Sequence, residues 1–210
     1  MKKLIEVKIK EFLLYLEQRR GYSDLTIKSY AESLKEAFLH IETVQEEKHL
    51  LFNLMPYRIK ISSLNPKTIS KKLSAIRSFS EYLSENGIAV ILKADESVKV
   101  AKTLPKPISH EHILEALSHG KPIEKLVVTL FYTLGLRISE LSSLEISNIS
   151  DGWVRVVGKG NKQRDIPLLA QTKKLLDEYL TISGEKKFLF EKNGERLSQN
   201  SLRYIIIKVF

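Results

Sequence analysis

Arg137 follows Gly135 and Leu136 directly in the stretch TLGLRISELSSL, residues 133–144, whose other residues are mostly apolar or helix-forming. A guanidinium that is buried or half-buried costs free energy unless an anion compensates it, so this position asks for an anionic partner. A second cationic cluster lies downstream in GKGNKQR, residues 158–164, where Lys159 and Lys162 sit in a glycine turn. Its G-x-G resembles a phosphate loop. It lacks the spacing and the Lys-Ser/Thr ending of an ATP-binding loop, and it lies between strand-like segments, not before a helix. It reads either as a hairpin whose lysines reach an anion or as a plain exposed hairpin whose glycines serve the turn alone.

Other chemistry is less well supplied. His110, His112 and His119 are spaced by two and seven residues, which does not put all three on one helical face, and no metal site is expected from them. His40 and His49 are isolated. There is no cysteine, which excludes disulfides, thiolate metal sites and a cysteine nucleophile together.

The elements that position these groups follow from periodicity. Residues 3–18 carry Leu4, Ile5, Ile9, Phe12, Leu13 and Leu16 at helical spacing. Ser23 opens a second helix with Leu25, Ile27, Tyr30, Leu34, Phe38 and Ile41 as its expected buried side. Residues 43–60 are mixed, with a short helix expected before Pro56. Asn65 then caps a helix that starts at Pro66 and closes at Gly87, with Ile69, Leu73, Ile76, Phe79 and Leu83 as an apolar stripe.

The opposite side of that helix shows Lys67, Lys71, Ser74 and Ser78, flanked by Lys72 and Arg77. A charge run is commonly just a solvated face. Small hydroxyl residues among lysines also permit close approach to a phosphate backbone. Residues 93–107 are polar and lysine-rich, lack helical period and end in two prolines, which marks a linker. Beyond it, Ser109 and Pro122 open helices, a short helix covers about 137–144, and residues 153–168 alternate as two strands around the glycine turn. Residues 170–180 are helical, KFLF at 187–190 reads as a short strand, and Ser198 caps a last helix that runs to Phe210.

With 34 basic against 25 acidic residues the 210-residue chain has a net charge of +9, which favours a polyanionic partner. Hydrophobic residues form 43% of it, enough for an ordinary core, and no run approaches the ~20 apolar residues of a membrane span. The basic start turns apolar but is interrupted by Glu6, Lys8, Lys10 and Glu11, unlike a signal peptide, so a cytoplasmic protein without membrane contact is expected.

TLGLRISEL followed by a strand and GKGNKQRDIPL resembles the tyrosine recombinases of the phage integrase type, and among them the Xer recombinases that resolve chromosome dimers. TIKSYAESLKEAF and NPKTISKKLSAIRSFSEYL resemble helices of that family's SAM-like core-binding domain, and LPKPISHEHI its interdomain entry. The resemblance implies a mainly α chain with a small β-hairpin or sheet. A helical core-binding domain is expected over 1–95, a linker over 96–107, and the N-terminal part of an α+β catalytic domain over 108–210. It implies that Arg137 is the first catalytic arginine, Lys159 the catalytic lysine and Glu140 a supporting carboxylate. Lys67, Lys71, Lys72, Arg77, Lys162 and Arg164 are the expected DNA contacts.

The implied reaction uses no metal and no cofactor. A tyrosine hydroxyl attacks a DNA phosphate, forms a 3′-phosphotyrosyl link and expels a 5′-hydroxyl. The partners implied are double-stranded DNA and other recombinase subunits in a tetrameric synapse. The family also uses a His-x-x-Arg segment, a later His or Trp and the tyrosine. This sequence has no histidine after His119, and Tyr179 and Tyr204 read as core or surface residues. The chain is therefore expected to stop within the catalytic domain and to lack the nucleophile. A non-catalytic DNA-binding remnant or regulator of the same fold is the alternative, and a helical protein–protein adaptor a third.

Overall fold

The computed structural model describes residues 1–101, 104–158, 160, 162–184 and 186–210. It divides into two compact units, Met1–Leu104 and Pro105–Phe210. Among the described residues no helix is long and apolar enough to cross a membrane.

The first unit is four helices and a three-stranded sheet: α1 (Lys2–Gln18), α2 (Asp24–Ala37), β1 (Glu42–Gln45), β2 (Leu50–Asn53), α3 (Met55–Ile61), α4 (Pro66–Glu85) and β3 (Val90–Lys93). The helical stripe of α4 is realised: Leu73, Ile76, Phe79 and Leu83 are buried, and Phe79 packs tilted against Phe12 and edge-on against Phe38 with ring centroids 5.5 and 5.6 Å apart. The start of α4 follows from its sequence. Asn65 accepts from the Lys67 N–H at 2.9 Å, and Pro66, which has no N–H to leave unpaired, takes the first turn.

Three expectations for this unit are corrected. Leu25 is 79% exposed, because 100° per residue puts it on the outward side of α2 with Lys28, Glu32 and Lys35, while Ser33, Leu34 and Ala37 face inward. Leu4 is likewise exposed on α1. The stretch 43–60 forms β1, β2 and the start of α3, and Pro56 lies inside the first turn of α3 instead of following a helix. Residues 50–53 alternate buried and half-buried as a strand does, pairing antiparallel with β1 and parallel with β3.

The second unit contains α5 (His110–His119), α6 (Pro122–Leu134), α7 (Ile138–Ser142), β4 (Trp153–Val157), β5 (Gln163–Pro167), α8 (Ala170–Ser183), β6 (Glu191–Lys192), β7 (Glu195–Arg196) and α9 (Gln199–Val209). Its core gathers Leu126, Val127 and Leu130 from α6, Leu141, Val154, Leu176, Phe190 and Leu202. The two strands read around the glycine turn are β4 and β5, an antiparallel pair with Val156 opposite Arg164. KFLF is not a strand. Phe188 makes one bridge to Glu145, Leu189 and Phe190 are buried, and pairing begins only at β6. Asn193 and Gly194, both at positive φ (55° and 80°), make the tight β6–β7 turn that Asn-Gly favours.

Tyr57 is fully buried in the first unit, and its hydroxyl has no hydrogen-bond partner among the described residues. Burial pushes its phenol well above the ordinary range. A buried polar group without a partner is a liability. Tyr57→Phe is therefore expected to leave urea stability unchanged or raise it by about 1 kcal/mol, whereas Phe79→Ala should cost about 3–5 kcal/mol. A clear loss of stability in Tyr57→Phe would show that the hydroxyl is bonded after all.

Candidate active site

Gly135 ends α6 in the left-handed conformation (φ 57°, ψ 36°), a geometry that favours glycine. The reversal tucks Leu136 into the core at 6% exposure and delivers Arg137 as the extended residue that opens α7. Contrary to a buried reading, the Arg137 side chain is 63% exposed. The buried group is Glu140, whose side chain is 1% exposed.

Glu140 collects four hydrogen bonds. The Arg137 backbone N–H donates to Oε2 at 2.7 Å and Arg137 Nη1 donates to Oε1 at 2.8 Å. From β5, Arg164 Nη1 donates to Oε1 at 2.7 Å and Nη2 to Oε2 at 2.9 Å, a bidentate fork. Two guanidinium charges thus share one carboxylate, leaving the cluster positive. Arg137 Nε and Nη2 have no partner among the described residues, so its outer edge remains available to a second anion.

Desolvation alone would raise the Glu140 carboxyl. The hydrogen bonds from Arg164 and Arg137 outweigh it and bring the carboxyl down to about 2.

The hairpin meets Arg137 at this carboxylate. Gly158, directly after β4, bonds its N–H to the Lys162 carbonyl at 2.8 Å and closes the hairpin root. Lys162 is exposed at that end of the hairpin. Lys159 lies outside the described residues. α7 is tied to the segment before α9 by Ser142 Oγ, which donates to the Leu197 carbonyl at 2.7 Å.

In the first unit, Lys67 and Lys71 are exposed on α4. Lys72 is paired with Glu36, and Arg77 donates Nε to both Asp95 carboxylate oxygens at 2.8–2.9 Å. Three of the six expected DNA contacts, Lys72, Arg77 and Arg164, therefore carry a carboxylate partner within the chain. The shared Glu140 arrangement was missed in sequence, although one signal pointed to it. Along β5, Arg164 takes the same inward alternate as Ile166 and stands opposite buried Val156, a place where an arginine needs an anion.

The three histidines of the second unit do not converge. His110 Nδ1 contacts the Tyr132 hydroxyl at 3.0 Å, His112 packs in the Ser109 cap and His119 ends α5. Among the described residues no group of three or more histidine or carboxylate side chains is placed to hold a metal ion.

The low Glu140 carboxyl has a stability consequence. The folded value of about 2 lies below the ordinary 4.5, so the stability Glu140 confers is complete above about pH 4.5 and is lost as pH falls through about 2. Glu140→Gln is expected to cost roughly 1.5–3 kcal/mol at neutral pH, because the buried charged acceptor of four hydrogen bonds is lost while the two guanidinium groups keep part of their solvent. Urea unfolding as a function of pH should show the gap between the two proteins closing across that acidic window. A gap of constant size down to pH about 2.5 would mean that the carboxylate charge is not what holds the arginines.

Residues 9–87 match the family described as phage integrase, N-terminal SAM-like domain, and residues 106–209 match the phage integrase family. The chain is 29% identical to tyrosine recombinase XerC of Thermodesulfovibrio yellowstonii, an alignment covering 95% of this chain and 74% of that protein. It is 30% identical to tyrosine recombinase XerC of Lactobacillus leichmannii, covering 91% and 70%. Its fold is similar to that of a lambda integrase dimer bound to a COC′ core site (TM-score 0.73, 16% identity, 97% of this chain and 76% of that one). It is also similar to XerH site-specific recombinase bound to a palindromic difH substrate (TM-score 0.65, 19% identity, 96% and 67%). Identity at this level across most of both chains, with both domain signatures present, places the chain in the phage integrase family as a Xer-like tyrosine recombinase.

Proposed function

We propose that this chain binds duplex DNA for site-specific strand exchange and that Arg137 holds the phosphate at which the backbone is broken. The observation that supports this most is the fixed guanidinium of Arg137: Nη1 is held by a buried carboxylate next to Gly158 at the hairpin root, and Nε and Nη2 have no partner among the described residues. A planar fork with free donors suits the two non-bridging oxygens of a phosphodiester.

In that reaction a tyrosine hydroxyl displaces the 5′-oxygen and forms a 3′-phosphotyrosyl link. Charge builds on the phosphorane oxygens, where a guanidinium held in place before the reaction begins needs little reorganisation. Lys159 is assigned to protonate the departing 5′-oxygen as general acid. Lys67, Lys71 and Lys162, exposed and with no carboxylate partner among the described residues, unlike Lys72 and Arg77, are assigned to the flanking phosphates. The synapse is assigned four recombinase subunits. A lambda integrase tetramer bound to a Holliday junction is similar in fold to this chain (TM-score 0.73, 16% identity) and supports that assignment.

The Xer likeness favours resolution of chromosome dimers in the cytoplasm, with integration or excision of mobile DNA as the other use of the same chemistry. A DNA-binding regulator of the same fold that does not cleave DNA is the alternative reading. The two readings share the phosphate site and part at the covalent step.

A polypeptide of these 210 residues is expected to bind duplex DNA with an affinity that falls steeply with salt. Replacing Lys67 and Lys71 by Gln should reduce the slope of log K against log salt by about 1.8, two phosphate contacts at about 0.9 each. Binding that is absent at low salt, or a slope unmoved by the double variant, would refute the assignment. On suicide duplex substrates the same polypeptide is expected to give no covalent adduct, and a phosphotyrosyl band on a denaturing gel would overturn that part.

A further inference from the structure

Arg164 commits both Nη atoms to Glu140, in the bidentate geometry that fills a carboxylate's two oxygens. Arg137 is left with a single side-chain bond to Oε1 and keeps its other donors. The two guanidinium groups therefore compete for one carboxylate, and Arg164 holds the fork. Were Arg164 absent, Arg137 could rotate onto Glu140 in the same bidentate manner and withdraw the donors that face outward.

Gly158 is part of the same arrangement. A Cβ at that position would lie 3.2 Å from Glu140 Oε1 and 3.5 Å from Nη1 of both Arg137 and Arg164. A side chain here would press on the atom that both arginines share, which would have to give by a few tenths of an ångström.

We propose that Arg164 is a positioning residue that acts through Glu140 to keep Arg137 singly held and open to phosphate, with Gly158 leaving room for the hairpin root to close on that carboxylate. This rests on the reading that Arg137 receives a DNA phosphate, and it removes Arg164 from the set of direct phosphate contacts.

The test uses the 210-residue chain with ¹⁵N-labelled arginine and ¹³C-labelled glutamate. NMR of the Arg137 guanidinium and the Glu140 carboxyl is followed in Arg164→Gln, Arg164→Lys, Gly158→Ala and Lys162→Gln, alongside the salt dependence of duplex binding. In Arg164→Gln the Arg137 signals should move, the Glu140 midpoint should rise from about 2 toward the ordinary carboxylate range, and the salt slope should fall by up to about 0.9 because Arg137 withdraws from its phosphate, so that any loss of slope comes together with the moved Arg137 and Glu140 signals. Arg164→Lys, which keeps the charge without the fork, should restore the Glu140 midpoint in part but not the Arg137 signals. Gly158→Ala should move the signals of both arginines. Lys162→Gln should lower the slope by about 0.9 and leave Arg137 unmoved.

The proposal is overturned if Arg164→Gln lowers the slope by about 0.9 while Arg137 and Glu140 stay as in wild type, because Arg164 would then be an ordinary phosphate contact. Should Arg164→Gln fail to fold, Arg137 signals unmoved in both Arg164→Lys and Gly158→Ala overturn it equally. If the wild-type chain binds no duplex, the DNA reading fails on its own, and the arginine and carboxyl signals still decide whether Arg164 positions Arg137.

Discussion

A carboxylate taken almost entirely out of water is costly unless donors replace the lost solvent. Glu140 has four donors, three from guanidinium groups and one from backbone, and two of them reach it from a strand far along the chain. The arrangement of the second unit follows from that requirement. Gly135 must reverse the chain so that Arg137 opens α7, β5 must present Arg164 inward, and the β4–β5 hairpin closes with Gly158, whose added Cβ would lie 3.2 Å from Glu140 Oε1, against that carboxylate. The by-product is a cation fixed by one edge and open at the other. This is the basis of the proposed phosphate site, because a free arginine would lose rotamer freedom on binding and a fixed one loses little.

The first unit handles cations differently. Lys72 and Arg77 are neutralised within the chain, by Glu36 and by the carboxylate of Asp95 just after β3. Arg58 reaches the Glu96 carbonyl at 2.8 Å, so the residues after β3 are held against the unit by two arginines. Lys67 and Lys71, one turn apart on α4, stay outward. A basic helix face is thus divided into charges that secure structure and charges that stay exposed, a division that net charge alone does not reveal.

What could be read in sequence was local. The three-residue spacing of Arg137 and Glu140, the Asn65-Pro66 start of α4, its apolar stripe and the strand alternation around the glycine turn are all set by nearest neighbours along the chain, and each is found in the structure. What escaped was non-local. The bonds from Arg164 to Glu140 close a separation of 24 residues, and β3 pairs with β2 across α3 and α4. Leu25 and KFLF failed for a related reason. Apolar composition marks residues that can be buried, but the packing of the other elements decides which of them are. Arg164 stood between the two cases, since strand alternation placed it inward without saying which anion it would meet.

The most direct measurement is a crystal structure of this chain with a duplex, in which the nearest backbone phosphate to Arg137 is located. A non-bridging oxygen about 3 Å from Arg137 Nε or Nη2, with Glu140 still holding both guanidinium groups, is the expected result. DNA lying on another surface, with the open edge of Arg137 facing only water, would contradict the phosphate-receptor reading.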